Sequence, residues 1–298
     1  MAETSKHLQN ACYIGLQGFF NPPNQYLPMS YLMDAPRSVE PMIRVLREMG
    51  KYRYDPSEVF RDWIDYAIAC FLVEGDKELA QRLEKKYEKA YPKMQELMLA
   101  WFKVMDQRVT DSPTSWFDAL GTIYEYLASQ SKRSWMGQFF TPPDLCDLMT
   151  QLTSHGQDRP VGKRVNDPAS GSGRLLLSFN AFNPGNYLYA EDLDAICAKM
   201  SALNMAIHGC QGQVCCLDSI ALDKWWFGYQ INYFHQFGVP PIPHLQPITK
   251  EQSETMQHWE RRRQKLEVKA EVKPKEPVSK PVIEPLQTQV RAGQLSLF

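Results

Sequence analysis

The stretch KRVNDPASGSGRLLLSF, residues 163–179, contains the turn that decides the fold. Its first residues predict a short strand that ends at Asp167, and the apolar run that begins at Arg174 predicts a helix. Gly171 and Gly173 stand between them, and glycine lets a backbone turn sharply and approach a ligand closely. The N-terminus of the following helix favours negative charge. The sequence therefore predicts a strand, a glycine-rich turn and a helix in direct succession.

The alternation of strand and helix continues after this turn. A second strand is predicted at residues 187–190, a second helix at 195–208 and a third strand at 213–217. Strands that alternate with helices predict an α/β fold with a parallel sheet covered on both faces. Ligands of such sheets lie at the carboxyl ends of the strands, and Asp167, Asp192 and Asp218 follow the three predicted strands. We therefore expect these three acids along one edge of the sheet.

The acid that follows the second strand is a candidate for binding a ribose. Asp192 lies 19 residues after Gly173, and a carboxylate in this position can accept hydrogen bonds from two ribose hydroxyls. Glu191 and Asp194 are alternatives for this role, and either could instead be exposed or cap the following helix. The turn is not a P-loop, because no Gly-Lys-Ser/Thr follows it, and it is not a complete dinucleotide fingerprint.

The chain divides into segments of different composition. Residues 1–36 form an N-terminal extension, and residues 37–131 predict a helical domain, because apolar residues recur there at helical spacing. The predicted strands lie within residues 132–258. Residues 259–293 lack periodicity and are rich in Lys, Glu and Pro, which predicts a disordered basic linker before the apolar end at 294–298.

The composition is that of a globular cytoplasmic protein with an uneven charge distribution. The 298 residues are 44% hydrophobic, and 33 Lys and Arg against 34 Asp and Glu give a formal net charge of −1. This balance excludes a bulk polycation, so attraction to nucleic acid must be local; residues 260–298 carry nine basic and five acidic side chains. The seven cysteines contain no C-x-x-C pair, so we expect reduced thiols and no metal site. We expect neither a signal peptide nor a membrane helix.

Two motifs carry a resemblance to a known family. The segment GQFFTPP, residues 137–143, and the loop DPASGSG, residues 167–173, are similar to those of adenine-specific DNA methyltransferases of the type I restriction-modification class. The resemblance covers about residues 55–220. It implies a Rossmann-like methyltransferase sheet, which could be truncated, preceded by an α-helical domain and followed by the disordered tail. It also implies DNA as a partner and suggests a specificity or second subunit.

The resemblance further implies a site for S-adenosylmethionine assembled from three parts of the chain. The residues that it implies are Phe140, Thr141 and Pro142 at the methionine end, Asp167, Pro168, Ser170, Gly171 and Gly173 at the carboxylate and sulfonium, Asp192 at the ribose, and Asp218 at the adenine.

The catalytic motif of the family departs from its pattern in this chain. Enzymes of this family use the motif Asn/Asp-Pro-Pro-aromatic. The acid or amide side chain accepts hydrogen bonds from the exocyclic amine of the target base, and the aromatic ring stacks on the flipped base. At the expected distance this chain has Val239-Pro240-Pro241-Ile242, which lacks both groups. Asn21-Pro22-Pro23-Asn24 offers Asn21 as an acceptor if the motif order is permuted. Asn24 replaces the aromatic residue, however, and the following residues predict helices, which favours a proline turn. The sequence therefore leaves two alternatives, an active enzyme and an inactive decoy protein that keeps the fold.

The C-terminal residues carry a second resemblance. The five residues Gln294, Leu295, Ser296, Leu297 and Phe298 are similar to the peptide by which bacterial replication proteins bind the polymerase sliding clamp. A flexible linker would present the apolar side chains to a pocket on the clamp. The aromatic segment at 225–234 and the basic run at 261–263 are candidates for base stacking and phosphate contact, with core packing and a solvated helix face as their alternatives.

Overall fold

The structure is a computed structural model of the 298-residue chain. It describes residues 36–52, 54–130, 140–154, 161–221, 224–238 and 242–272. The predictions that concern Asn21, Val239 and the C-terminal peptide 294–298 lie outside the described residues.

Helices occupy the first part of the described chain, where apolar spacing predicts them. Their bounds are α1 Glu40–Gly50, α2 Pro56–Phe71, α3 Lys77–Tyr87, α4 Pro92–Arg108 and α5 Ala119–Gln130, with short 3-10 turns at Arg37–Val39 and Glu88–Ala90. The start of α2 shows how the sequence sets these bounds. The Asp55 side chain accepts hydrogen bonds from the backbone N–H groups of Ser57 and Glu58, and Pro56 occupies the first helical position.

A mixed five-stranded sheet follows the helices. The elements after α5 are α6 Pro143–Ser154, β1 Arg164–Asp167, α7 Arg174–Phe182, β2 Tyr187–Asp192, α8 Ala195–Ile207, β3 Gln211–Leu217, β4 Trp225–Ile231, a 3-10 turn Tyr233–Phe237, β5 Leu245–Ile248 and α9 Glu254–Val272. The strand order is β1-β2-β3-β4-β5, with β1, β2 and β3 parallel. The α/β class is thus confirmed, and β1 is an edge strand of the sheet in the described part of the chain.

The three predicted strands are parallel, and two further strands that the sequence pattern does not predict extend the sheet in the antiparallel sense. β4 runs antiparallel to β3, and β5 antiparallel to β4. The connection between β3 and β4 explains this, because only residues 218–224 separate the two strands. A parallel pair requires a crossover of a dozen or more residues, so this short connection permits only an antiparallel return.

One hydrophobic core joins the helices to the sheet. Trp63 of α2, Trp101 of α4, Leu188 of β2 and Leu203 of α8 are all fully buried members of one cluster. α8 packs against α2 as well as against β2 and β3. The sheet therefore uses the N-terminal helices as part of its cover. Among the described helices, none is both long and apolar enough to cross a bilayer.

The chain divides by its contacts into Met1–Trp259 and Glu260–Phe298. The second unit begins inside α9, which continues to Val272. This helix therefore extends past residue 259, where the sequence pattern places the start of a linker. Residues 254–272 contain neither Pro nor Gly and are rich in Glu, Lys, Arg and Gln, which favour helix; the first proline follows at Pro274.

Candidate cofactor site

The glycine loop connects the end of β1 to the start of α7. Gly171 and Gly173 both adopt positive φ values, +55° and +90°, which other residues adopt only with strain. Gly173 is the N-cap of α7. A Cβ atom on Gly171 would lie 2.6 Å from Cδ1 of Phe140, so the absence of a side chain allows the aromatic ring to lie on the loop. The loop sequence thus specifies both its turn and its contact with the GQFFTPP segment.

Asp192 closes the loop from the end of β2. Its Oδ2 accepts the backbone N–H of Gly171 at 2.8 Å, and its Oδ1 accepts the backbone N–H of Asp194 at 2.8 Å. The Asp194 side chain caps α8 by accepting the N–H of Ile196, and Glu191 is fully buried. Of the three neighbouring acids, Asp192 lines the cavity described next.

A cavity of about 340 Å³ lies where the loop, β1 and β2 meet. Its lining consists of Phe140, Thr141, Asp167, Ala169, Ser170, Gly171, Arg174, Leu175 and Asp192. Six of these residues are among those implied by the resemblance, and the cavity has the size of a small-ligand site. It lies at the carboxyl ends of the parallel strands, where the ligands of α/β sheets bind.

Four implied residues do not line this cavity. The Pro142 carbonyl accepts the N–H groups of Leu145 and Cys146 at the start of α6, and Gly173 caps α7. Asp218 accepts the N–H groups of Ile220 and Ala221, which forms a tight turn after β3.

That turn also contacts the glycine loop. The Ser219 hydroxyl donates to the Pro168 carbonyl at 2.8 Å. Asp218 and Pro168 therefore shape the wall beside the cavity instead of lining it.

The two cavity acids have environments that suit a polar, cationic ligand. Asp167 Oδ1 accepts the N–H of Ala169 at 3.1 Å, whereas its Oδ2 is buried without a hydrogen-bond partner in the protein. Burial raises the pKa of the Asp167 carboxyl and, as the main cause, that of Asp192. An unpartnered buried oxygen is costly unless a ligand or water satisfies it. The residues present therefore fit a cofactor with hydroxyl and cationic groups.

Arg174 is a site residue that the motifs do not reveal. Its Nε donates to Asp118 at 2.7 Å and its Nη2 to Glu125 at 2.8 Å, and the side chain is 6% exposed. The guanidinium lies 5.3 Å from the centre of the Phe140 ring. Glu125 also accepts the backbone N–H of Phe140 at 3.0 Å. This ion-pair cluster therefore holds Phe140 and Thr141 against α5 and α7.

Asp118 extends the cluster into the glycine loop. Its Oδ2 accepts the Ser172 hydroxyl at 2.5 Å, and its Oδ1 accepts the side-chain amide of Asn204 at 2.7 Å. Asp118 and Glu125 lie in the helical region and belong to no motif, so the sequence gives no signal for them. Arg174 could be recognised as unusual from the sequence, because it is a charged residue at the start of an otherwise apolar helix.

The segment Val239-Pro240-Pro241-Ile242 belongs to the connection between β4 and β5. Its described flanks, Gly238 and Ile242, follow Ile231, which pairs with Gly212 at the start of β3. The cavity lies at the opposite, carboxyl end of the parallel strands. The connection between β4 and β5 therefore begins at the end of β3 that is opposite to the cavity.

The aromatic segment does not form one stacking surface. Trp225 packs against Leu217 and Met256, whereas Trp226 is half exposed. Tyr233 and Phe234 lie beyond the other end of β4. The basic run at 261–263 is exposed on α9.

A glycine turn after one parallel strand and an acid after the next are typical of α/β proteins that bind nucleotide cofactors. Residues 116–234 match the sequence profile of the family described as N-6 DNA Methylase. The resemblance derived from the two motifs is thus confirmed for this part of the chain.

Two relatives extend the comparison. The chain is 28% identical over 127 residues to the type I restriction enzyme MjaVII methylase subunit of Methanocaldococcus jannaschii. That alignment covers 39% of this chain and 21% of the relative, so it spans about a fifth of the relative's length. A type I restriction-modification system methyltransferase subunit from Streptococcus thermophilus shows 22% identity and a TM-score of 0.28, with coverage of 61% of this chain and 38% of that one.

Proposed function

We propose that this chain is a DNA adenine-N6 methyltransferase-type protein that binds S-adenosylmethionine. The observation that carries the proposal is the cavity in which Gly171 donates to Asp192 beside the unpartnered oxygen of Asp167. When bound, S-adenosylmethionine supplies an electrophilic methyl group. Asp192 would hold the ribose hydroxyls, and Asp167 would face the cationic methionine end. Phe140 and Arg174 would form the wall at that end of the cavity and exclude water from it.

Cofactor binding to the purified full chain tests the site directly. Isothermal titration with S-adenosylmethionine should give a defined dissociation constant, and Asp167→Ala should weaken binding by tenfold or more. Asp111→Ala, at an exposed position far from the loop in sequence, is the matched control. Equal affinity for wild type and Asp167→Ala would refute the assignment of the site.

Methyl transfer is a separate question, because the acceptor of the target amine is not provided by the Val239 segment. The proposed enzyme therefore needs Asn21 or a second chain to complete the base pocket. Transfer of tritiated methyl groups to mixed-sequence DNA should be measured for the wild type, Asp167→Ala and Asn21→Ala. Incorporation that survives Asn21→Ala would exclude the permuted motif.

The second candidate is a catalytically inactive DNA-binding or decoy protein of the same fold. The position of the β4–β5 connection at the amino-terminal end of β3 favours it. Cofactor binding without any methyl incorporation would support this candidate for the isolated chain. Incorporation only after a specificity or other subunit is added would instead support a methyltransferase that is completed by a partner. The description of the archaeal relative as a subunit is consistent with such an assembly.

We also propose that residues Gln294 to Phe298 bind the bacterial sliding clamp in the cytoplasm and thereby bring the protein to replicating DNA. Tethering to a ring around DNA raises the local concentration and makes weak intrinsic DNA affinity sufficient. Deletion of 294–298 should abolish retention of purified clamp in a pull-down, while cofactor affinity stays unchanged. Clamp binding that survives the deletion would refute this role.

A further inference from the structure

The outer face of α6 carries a stripe of exposed apolar side chains. Leu145, Leu148, Met149 and Leu152 are 44%, 52%, 42% and 69% exposed. Their spacing of i, i+3, i+4 and i+7 places them on one side of the helix. Single exposed apolar residues are common on protein surfaces, but a continuous stripe of them indicates a contact surface.

The opposite face of α6 packs against α7. The Thr150 and Ser178 hydroxyls lie 3.0 Å apart, and Asn183 donates to the Ser154 hydroxyl at 2.9 Å. Ser178 also donates to Asp147 at 2.6 Å. α6 is therefore held in place by polar contacts on its inner face, and its apolar face is left toward the outside.

We propose that the apolar stripe of α6 is the docking site for residues 12–20 of the same chain. This segment, CYIGLQGFF, has six apolar side chains among nine residues and is uncharged. It lies outside the described residues. Its apolar character matches that of the stripe, and burial of the two together would remove both from water.

The described start of the chain and the residue Phe140 shortly before α6 both contact α5. The turn Arg37–Val39 packs on α5. Glu125 of α5 accepts the N–H of Phe140, which precedes α6 by three residues. Residues 21–35 connect the apolar segment to this point, and fifteen residues can span up to about 50 Å. Docking within one chain also benefits from a high local concentration.

Cross-linking of the full chain tests the proposal. Leu148→Cys in a Cys70→Ser background pairs an introduced thiol with the native Cys12, while the five other described cysteines are buried. Leu99→Cys on α4, at a position that is 46% exposed, is the matched control. With a short bismaleimide, the thiol introduced at position 148 should be linked to Cys12 within one chain. Its yield should be at least fivefold higher than that of the corresponding product from position 99. Equal yields, or cross-links only between two chains, would overturn the proposal.

Proteolysis provides a second readout that does not depend on cysteine chemistry. Leu148→Asp together with Leu152→Asp should increase chymotrypsin cleavage after Tyr13, Phe19 or Phe20 by severalfold, because the docking surface becomes charged. Leu99→Asp should leave the cleavage rate unchanged. Circular dichroism verifies that each variant is folded. Unchanged cleavage in the folded double variant would also overturn the proposal.

Discussion

The residue with the greatest structural consequence near the cavity is Asp118. Its side chain is 2% exposed and forms an ion pair with Arg174, whose own side chain is 6% exposed. It also accepts hydrogen bonds from Ser172 and Asn204. One carboxylate thus connects the start of α5, the glycine loop and α8.

Replacement of Asp118 should therefore destabilise the whole fold. Asp118→Ala leaves the Arg174 charge buried and only partly compensated, and loss of one partner of a buried pair costs about 3–5 kcal/mol. The free energy of unfolding from urea titration should decrease by about that amount. Glu48→Gln breaks the more exposed pair with Lys93 and should cost less than about 1 kcal/mol. Similar losses for the two variants would contradict the assigned role of Asp118.

His208 makes stability depend on pH in a defined direction. Its Nε2 accepts the backbone N–H of Phe117 at 3.2 Å, so the proton is on Nδ1, which lies 2.7 Å from the Asn204 carbonyl. Burial lowers the pKa of His208 below 6.5. The unfolded chain therefore binds a proton more readily, and the stability contributed by His208 is present above pH 6.5 and lost as the pH falls toward the lowered pKa.

A comparison with His208→Gln isolates this contribution. The wild type should be more stable than His208→Gln at about pH 8, and the difference between them should shrink by about pH 5.5. The free energy of unfolding from urea titration at several pH values measures the difference. His258→Gln, at an exposed position, serves as the control and should show the wild-type dependence. A pH-independent difference for His208→Gln would show that neutral imidazole is not what the site requires.

At the scale of elements, the glycine loop couples the backbone conformation to the shape of the cavity. Gly171→Ala forces a Cβ atom to within 2.6 Å of Phe140 at a φ of +55°. Strain of this kind costs about 1–3 kcal/mol, so the affinity for S-adenosylmethionine in isothermal titration should fall by about tenfold or more. Gly50→Ala, where a Cβ meets nothing within 4 Å, should leave affinity unchanged. Equal affinity of all three proteins would show that the loop does not shape the site.

The sequence predicted the parallel part of the sheet because β1 and β2 are each followed by an acid or a glycine turn and then by a helix. It predicted no strand at β4, because the aromatic residues there fit core packing or base stacking, and the direction of β4 depends on the short connection after Leu217. Similarly, the motif residues Gly171 and Asp192 were recognisable locally. Asp118 and Glu125 were not, because their partner Arg174 is 56 and 49 residues away in sequence.

At the scale of the whole molecule, the predicted boundary at residue 131 separates two patterns of sequence. The predicted division at 131/132 stays a prediction, but the described core crosses it. α8 lies between α2 and the parallel strands, and Lys199 of α8 pairs with Asp65 of α2 at 2.5 Å. Neither the helices nor the sheet can bury its apolar face without the other. We therefore expect the two regions to unfold together.

Hydrogen exchange measured by mass spectrometry at increasing urea concentrations can follow the two regions separately. Peptides from α2 and from β2 should lose protection at the same midpoint. Leu203→Ala, at a fully buried position in α8, should shift both midpoints down together by an amount equivalent to about 2–5 kcal/mol. Leu99→Ala, at a half-exposed position, should shift neither. Loss of protection in α2 while β2 stays protected would instead show that the helical region unfolds independently of the sheet.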